Sequence, residues 1–355
     1  MAQQQPPLTA PLDATERDLL LRIYRLAVVT RTVDERLWIL SRQGQVSFVL
    51  TARGHEIAQI ASAATLRRGL DTAWPYYRDM AVGFTLGVTP YELFLGAYGR
   101  GADPHSGGRQ LTTHLSSPRL GIGSISSSIA AQIPHAVGAA YAAKVLGTGS
   151  VAVTWFGDGA TSEGATHESM NLAGIHALPV VFFCENNGLA ISVPQSLQMA
   201  VATVAERGAA YGMPGVRVDG TDPLAVYRAS TAAVERARRG EGPTLIEAVV
   251  PRITAHSSQD DEAYRTDEER MAAAAADPLP RLRELVLELG LMPTEDEQAL
   301  QDRLRQEIVR EGDRAASEPL TDPSRARQWL FAGDPPHPLL ARLEAGGVGT
   351  GGLDG

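Results

Sequence analysis

The chain reads as an α/β protein built on a doubly wound, mainly parallel sheet, and three observations carry that reading. Residues 151–156, 179–184 and 244–250 are runs of apolar, β-branched and aromatic residues with the length of fully buried strands. Between and around them, apolar residues recur at helical spacing, so strands and helices alternate along the chain. The stretch separating the first two runs is long enough for the crossover helix that parallel neighbours require.

In chain order, residues 1–13 are expected to form a flexible tail, because their start is rich in Gln and Pro and lacks an apolar core or positive charge. Asp13-Ala14-Thr15-Glu16 then reads as a capping box. Leu19, Leu20, Ile23, Leu26, Ala27, Leu37 and Leu40 continue it as one helical stripe that stops near Gly44. A second helix is expected after Gly54, through Ile57, Ile60, Ala61 and Leu66. Residues 74–123 read as loop with short helices, and 101–108 as an irregular, mobile stretch. Residues 129–145 are a helix of small residues, packed either in the core or at a subunit contact. Beyond the first two strands come a helix at 203–211, a short strand at 216–218, a helix at 223–239 and the strand at 244–250. From Asp277 the chain is charged and helical to near Glu311, and 336–355 are expected to be a flexible tail. Residues 14–335 are thus one α/β domain carrying a helical extension over about 277–335.

Composition excludes several classes of function. Of 355 residues 44% are hydrophobic, ample for a core, and a net charge of −9 without a basic block argues against nucleic acid or an anionic membrane surface. No apolar run is long enough to span a bilayer. The one cysteine, Cys184, falls inside a strand, which rules out an intrachain disulfide and suits the cytoplasm. Lys144 is the only lysine and sits in an alanine-rich helix as a solvated residue, so Schiff-base chemistry is disfavoured.

The chemistry gathers where strands end. Gly157-Asp158-Gly159 follows the first strand, and Asn186-Asn187 follows the second. Asp158 and Asn187 therefore emerge at the carboxyl ends of neighbouring parallel strands, where open α/β sheets bind ligands. Flanking glycines let the backbone approach a phosphate, and Gly159 and Ala160 would offer it N–H groups at a helix start. A bare carboxylate there repels phosphate unless a divalent cation lies between, and a carboxylate, an amide oxygen and diphosphate oxygens suit Mg²⁺. The site reads as a metal–diphosphate clamp. On its own Asp-Gly is most often a turn. A dinucleotide fingerprint would need a glycine at Ser162, and a nucleophile elbow would need one at Ala160.

These residues match the G-D-G…N-N signature of thiamine-diphosphate enzymes. With Tyr76-Tyr77-Arg78-Asp79, the segments 126–134, 185–192 and 252–261, and Tyr264-Arg265, the chain closely resembles the α subunit of the decarboxylating component of 2-oxoacid dehydrogenases, especially the branched-chain type. The match runs from about the first helix to the C-terminal helices. It implies thiamine diphosphate and Mg²⁺ as cofactors, with Asp158, Asn187 and the carbonyl of Leu189 as metal ligands. It further implies diphosphate contacts from Tyr77 and Arg78, with Ser127 and Ile129 lining the cofactor's bent middle. His256 would face the diphosphate and reacting centre, protonated beside the dianion, on a loop that orders with cofactor. His105, His114, His135, His167 and His176 read as structural. Ser126, Ser128 and Gln132 match a potassium site, although Ala131 replaces a hydroxyl residue there. Ser257 matches a position phosphorylated in animal relatives.

The activity implied is oxidative decarboxylation of a 2-oxo acid, with acyl transfer to the lipoyl group of a dihydrolipoyl acyltransferase. The glutamate that activates the cofactor's pyrimidine would come from a β subunit, in an assembly of two α and two β chains. Glu56 is the one local candidate for that task. The α subunit of a pyruvate or acetoin dehydrogenase is a second reading, and a non-catalytic scaffold of the same fold a third.

Overall fold

The computed structural model describes residues 12–328; the tail expected at 336–355 and all but the last two residues of the one expected at 1–13 lie outside them. Seven strands follow in order: β1 (Thr72–Trp74), β2 (Ala152–Gly157), β3 (Val180–Asn186), β4 (Leu189–Ala190), β5 (Val193–Pro194), β6 (Gly215–Asp219) and β7 (Thr244–Val249). The helices are α1 (Ala14–Arg42), α2 (Glu56–Ala63), α3 (Met80–Leu86), α4 (Pro90–Ala97), α5 (Gln132–Leu146), α6 (Gly164–Ile175), α7 (Gln195–Gln198), α8 (Pro223–Arg238), α9 (Asp267–Ala275), α10 (Pro278–Glu288) and α11 (Thr294–Ser317).

Five strands form one sheet in the order β1-β2-β3-β7-β6, every pair parallel, and β4 and β5 make a small antiparallel hairpin. Successive side chains point to opposite faces, and here both faces are covered. Val153, Trp155, Val181, Phe183 and Ile246 join the larger core with α1, α2 and α8. Ala152, Phe156, Val180, Phe182 and Cys184 join a second core against α5 and α6. That double burial is why the strands read as unbroken apolar runs rather than alternating ones.

The capping box forms as expected, Asp13 Oδ1 accepting from the Glu16 N–H at 2.8 Å. Thr89 and Glu92 make a second one at α4. Three boundaries differ from the sequence reading. Strand β1 went unanticipated because three residues are too few to show a period. The small-residue helix starts at Gln132, not Ile129, since Ala130 takes a positive φ of 66°. Residues 205–211 form a 3₁₀ helix. The stretch 101–108 is organised around Asp103, whose carboxylate accepts from the backbone of His105, Ser106 and Gly108. No helix among the described residues is long and apolar enough to cross a membrane.

The C-terminal helices are tied to α1 by one buried carboxylate. Glu297 is fully buried and accepts from Tyr24 Oη at 2.5 Å, Arg283 Nη2 at 2.6 Å and Gln301 Nε2 at 2.5 Å. Arg283 is the main reason its pKa falls to about 2, against the opposing effect of burial. A depressed carboxylate pKa stabilises the fold above the unfolded value and loses that contribution as pH falls through the folded one. Glu297→Gln should therefore cost roughly 1–3 kcal/mol at neutral pH. Urea titrations at several pH values check this, with the gap from wild type closing as pH drops from about 4.5 toward 2.

Candidate active site

Strand β2 ends at Gly157 and β3 at Asn186, and the register pairs Gly157 with Glu185. Asp158 and Asn187 consequently leave neighbouring strands at the same sheet edge. They open onto a cavity of about 290 Å³. Its wall brings together the residues expected to contact metal or cofactor: Tyr77, Arg78, Ser127, Ile129, Gly157, Asp158, Gly159, Ala160, Asn187, Leu189 and His256. Tyr77 and Arg78 come from the segment joining β1 to α3, Ser127 and Ile129 from the loop before α5, and His256 from the loop after β7. Phe48, Leu50 and Ile191 also line it and carried no signal in the sequence. Ile191 holds a φ of 56°, costly for a β-branched residue by about 1–2 kcal/mol. The Arg252 guanidinium fixes it, Nη1 donating to the Ile191 carbonyl at 2.8 Å.

The charges in this cavity lack their usual partners. Asp158 is buried, and its Oδ2 has no hydrogen bond. Burial raises its pKa to about 6, because nothing nearby fully replaces water around the carboxylate. Arg78 is equally buried, yet its contacts are the Thr51 carbonyl at 2.7 Å and His256 Nδ1 at 3.2 Å. Arg252, outside the cavity lining, is buried too and donates to Ile191 and to Tyr264 Oη. Among the described residues neither guanidinium has a carboxylate within ion-pair reach. Because Arg78 can only donate, His256 Nδ1 accepts and its proton resides on Nε2. Burial, then Arg78 and Arg252, push the His256 pKa down to about 4. The imidazole of the chain by itself is therefore neutral, and the protonated form expected beside a dianion would depend on that dianion.

Other expectations are corrected by geometry. Gly159 and Ala160 lie in a 3₁₀ turn, Asp158–Ser162, and α6 starts only at Gly164 after an extended Glu163. Their N–H groups thus belong to one short turn rather than to the start of α6. His114 is not simply structural. Its Nδ1–H donates to the Thr112 carbonyl at 3.1 Å, leaving Nε2 to accept from Ser127 Oγ at 2.6 Å. Glu56 is spent on structure: fully buried, it pairs with Arg31 at 2.7 Å and accepts from Gly54 N–H at 2.7 Å. Ser126 Oγ accepts from its neighbour Ser128 N–H, while Gln132 points inward to the Trp155 carbonyl with its Oε1 unpaired. Ser257 is buried. The loop around His256 carries bonds of its own, Asp260 accepting from His256 N–H at 2.8 Å and Tyr264 Oη at 2.6 Å.

Behind the cavity wall lies a buried polar cluster that the sequence did not reveal. Glu185 Oε2 accepts from His55 Nδ1 at 2.6 Å, Gln59 Nε2 at 3.1 Å and Tyr76 Oη at 3.1 Å. Burial opposes ionisation of Glu185, but the His55 bond and these donors hold its pKa below the ordinary carboxylate value. Asp79 lies against it, and burial together with the Glu185 charge pushes its pKa well above the ordinary carboxylate value. Burial pushes the His55 pKa below the ordinary histidine value, against the effect of Glu185.

Could these residues hold a metal and a diphosphate? Among the described residues no group of three or more His, Cys, Asp or Glu side chains could hold a metal ion. A cation here must therefore use one carboxylate, amide and backbone oxygens, the hard donors Mg²⁺ takes when substrate phosphates complete its shell. An unpartnered buried carboxylate oxygen beside unpaired buried guanidinium groups fits a metal–phosphate pair.

Comparison with known proteins agrees with this geometry. The family model described as "Dehydrogenase E1 component" matches residues 24–324. The chain is 42% identical over 311 residues to the 2-oxoisovalerate dehydrogenase subunit alpha of Bacillus subtilis, covering 87% of this chain and 94% of that one. It is 43% identical over 270 residues to the 3-methyl-2-oxobutanoate dehydrogenase subunit alpha of Mycobacterium tuberculosis, covering 76% and 71%. The mitochondrial 2-oxoisovalerate dehydrogenase subunit alpha of Mus musculus is 39% identical over 307 residues, covering 86% and 69%.

The charge arrangement predicts how His256 titrates. In the cofactor-free chain its imidazole should remain neutral down to about pH 4. Arg78→Met removes a neighbouring cation and should raise that midpoint toward the ordinary histidine value of about 6.5. Histidine-labelled NMR titration of both proteins reads the shift directly.

Proposed function

The chain belongs to the dehydrogenase E1 component family, which depends on thiamine diphosphate, and on that premise we propose that it is the α subunit of a branched-chain 2-oxoacid dehydrogenase. The observation that carries the proposal furthest is the set of uncompensated buried charges facing one cavity. Asp158, Asn187 Oδ1 and the Leu189 carbonyl would hold Mg²⁺, and Tyr77, Arg78, His256 and the N–H groups of Gly159 and Ala160 would hold the diphosphate. When bound, thiamine diphosphate supplies the nucleophilic carbon and the electron sink for loss of CO₂.

The chain's own groups have separable tasks. Arg78 offers two donors to phosphate oxygens in a fixed fork. Neutral His256, with its proton on Nε2, can donate to an anionic oxygen without first being protonated. Phe48, Leu50, Ile129 and Ile191 give the cavity an apolar wall. Such a wall excludes water and suits an aliphatic side chain on the 2-oxo acid, which favours the branched-chain reading over pyruvate or acetoin. Gln132 Oε1, buried and unpaired, would be available at the proposed potassium position.

Half of the machinery is assigned to a partner. With Glu56 committed to Arg31, the carboxylate that activates the pyrimidine would come from a β subunit, as the resemblance implies. The outer face of α5 and α6 supports such a partner: Tyr141, Val145, Leu146, Leu172 and Ile175 are exposed there, Leu146 at 72%. An apolar face of this kind is costly in water and suited to a subunit contact, and Gly138 on it meets nothing within 4 Å. The acyl group would pass to a lipoylated dihydrolipoyl acyltransferase.

Two measurements test this reading. With an artificial electron acceptor, the αβ assembly should turn over 3-methyl-2-oxobutanoate faster than pyruvate or acetoin, and the α chain alone should be inactive. Turnover by the α chain alone would place both halves of the site in this sequence. Asp158→Ala should weaken Mg²⁺-dependent thiamine diphosphate binding, followed by calorimetry, on the order of a hundredfold or more. Unchanged affinity would remove Asp158 from the clamp, and the assembly's failure to bind the cofactor at all would favour a scaffold.

A further inference from the structure

His55 occupies a position from which it sets the orientation of a proposed metal ligand. It is completely buried at the start of α2, outside the cavity, and nothing in its sequence context distinguishes it. Its place is fixed by backbone. Gly54 has a φ of 91°, and a Cβ there would lie 2.0 Å from the Pro251 carbonyl oxygen, at the end of β7. Only glycine lets the two segments meet so closely. This contact seats His55 beneath the ends of β3 and β7.

The two ring nitrogens of His55 face different partners. Nδ1 lies 2.6 Å from Glu185 Oε2, and Nε2 lies 3.4 Å from Asn187 Nδ2. Gln59 Nε2, which can only donate, points at the same Glu185 oxygen, so Oε2 is an acceptor and Nδ1 carries the proton, while Nε2 faces an NH₂ group and presents its lone pair. A lone pair can face the NH₂ end of the Asn187 amide but not its oxygen. The amide is therefore turned with Oδ1 away from His55, where that oxygen accepts from the Leu189 N–H at 3.1 Å. Were the amide reversed, Oδ1 would face a lone pair, and an NH₂ group, which cannot bind a cation, would face the cavity.

We infer that His55 is a positioning residue, which uses the Glu185 carboxylate to fix its own tautomer and thereby keeps the Asn187 oxygen directed at a divalent cation. The inference rests on the metal-clamp reading of Asp158 and Asn187. His55 is never in contact with the cation; it acts through Asn187. Partners of metal ligands in this position typically change affinity 10- to 100-fold when removed.

The test is Mg²⁺ binding by the full chain assembled with its β partner, measured by calorimetry at a fixed concentration of thiamine diphosphate. His55→Asn retains an amide that can donate to Glu185 but is too short to reach Asn187. His55→Gln places a carbonyl oxygen near the Nε2 position, where it can accept from the Asn187 amide. The Mg²⁺ concentration for half-saturation should rise roughly tenfold or more in His55→Asn and recover to within a few-fold of wild type in His55→Gln. Thermal melting without ligand reports any general loss of stability, which should not follow the Mg²⁺ effect. As a second arm, Asn187→Asp has no amide to orient, so adding His55→Asn to it should change nothing further. Wild-type affinity in His55→Asn, no recovery in His55→Gln, or an equal extra loss in the Asn187→Asp background would each overturn the inference. Absence of Mg²⁺-dependent uptake by the wild-type assembly would instead remove the metal-clamp reading beneath it.

Discussion

The parallel register of β2 against β3 is the constraint on which the rest of the molecule depends. Pairing Gly157 with Glu185 brings Asp158 and Asn187 to one edge, and β7 beside β3 brings the chain leading to His256 to the same edge. A slip of one residue would exchange every side chain between the two cores, moving Trp155 and Phe183 to the α5–α6 face. The cores differ in size and content, so the register is held by packing on both sides. The cavity inherits its framework from that packing, and hydrogen bonds such as that between Arg78 and His256 then set its side chains.

Those residues are kept in an unfavourable state. Asp158, Arg78 and Arg252 are withdrawn from water without ion-pair partners, and Ile191 is held in a left-handed conformation. Each is destabilising alone. The fold tolerates them because their surroundings are over-determined: Arg78 is gripped by a backbone carbonyl, Arg252 by another, and Ile191 by Arg252. Charges fixed in advance need no reorganisation when an anion and a cation arrive together, which is the condition for strong electrostatic binding.

The Glu185 cluster performs a related task one layer further in. A carboxylate whose Oε2 accepts from His55, Gln59 and Tyr76, with Asp79 against it, is a densely bonded group in the middle of the fold. Buried polar networks of this kind favour one arrangement over its alternatives, since any displaced donor leaves a charge unsolvated. It therefore joins α2, β3 and the Tyr76–Asp79 segment rigidly, and the metal-facing edge of the site is built on that junction.

The sequence by itself determined the elements whose signal is local. Strands buried on both faces announce themselves as apolar runs, Asp13 and Glu16 as a cap, and Asp158 and Asn187 by their place immediately after strands. The resemblance then supplied Tyr77, Arg78, Ser127, Ile129, Leu189 and His256, which spacing alone could not have joined. What only the tertiary structure decided is everything that depends on distant neighbours. Glu56, open as a catalytic candidate in sequence, is bound to Arg31. His114, one of several unremarkable histidines, holds Ser127, and the pKa of His256 is lowered by burial and by Arg78, brought to it across 178 positions of chain. His55 meets Glu185 across 130 positions of chain. A protonation state or a hydrogen-bond direction is set by the field of groups brought together through folding, and no window of sequence contains that field.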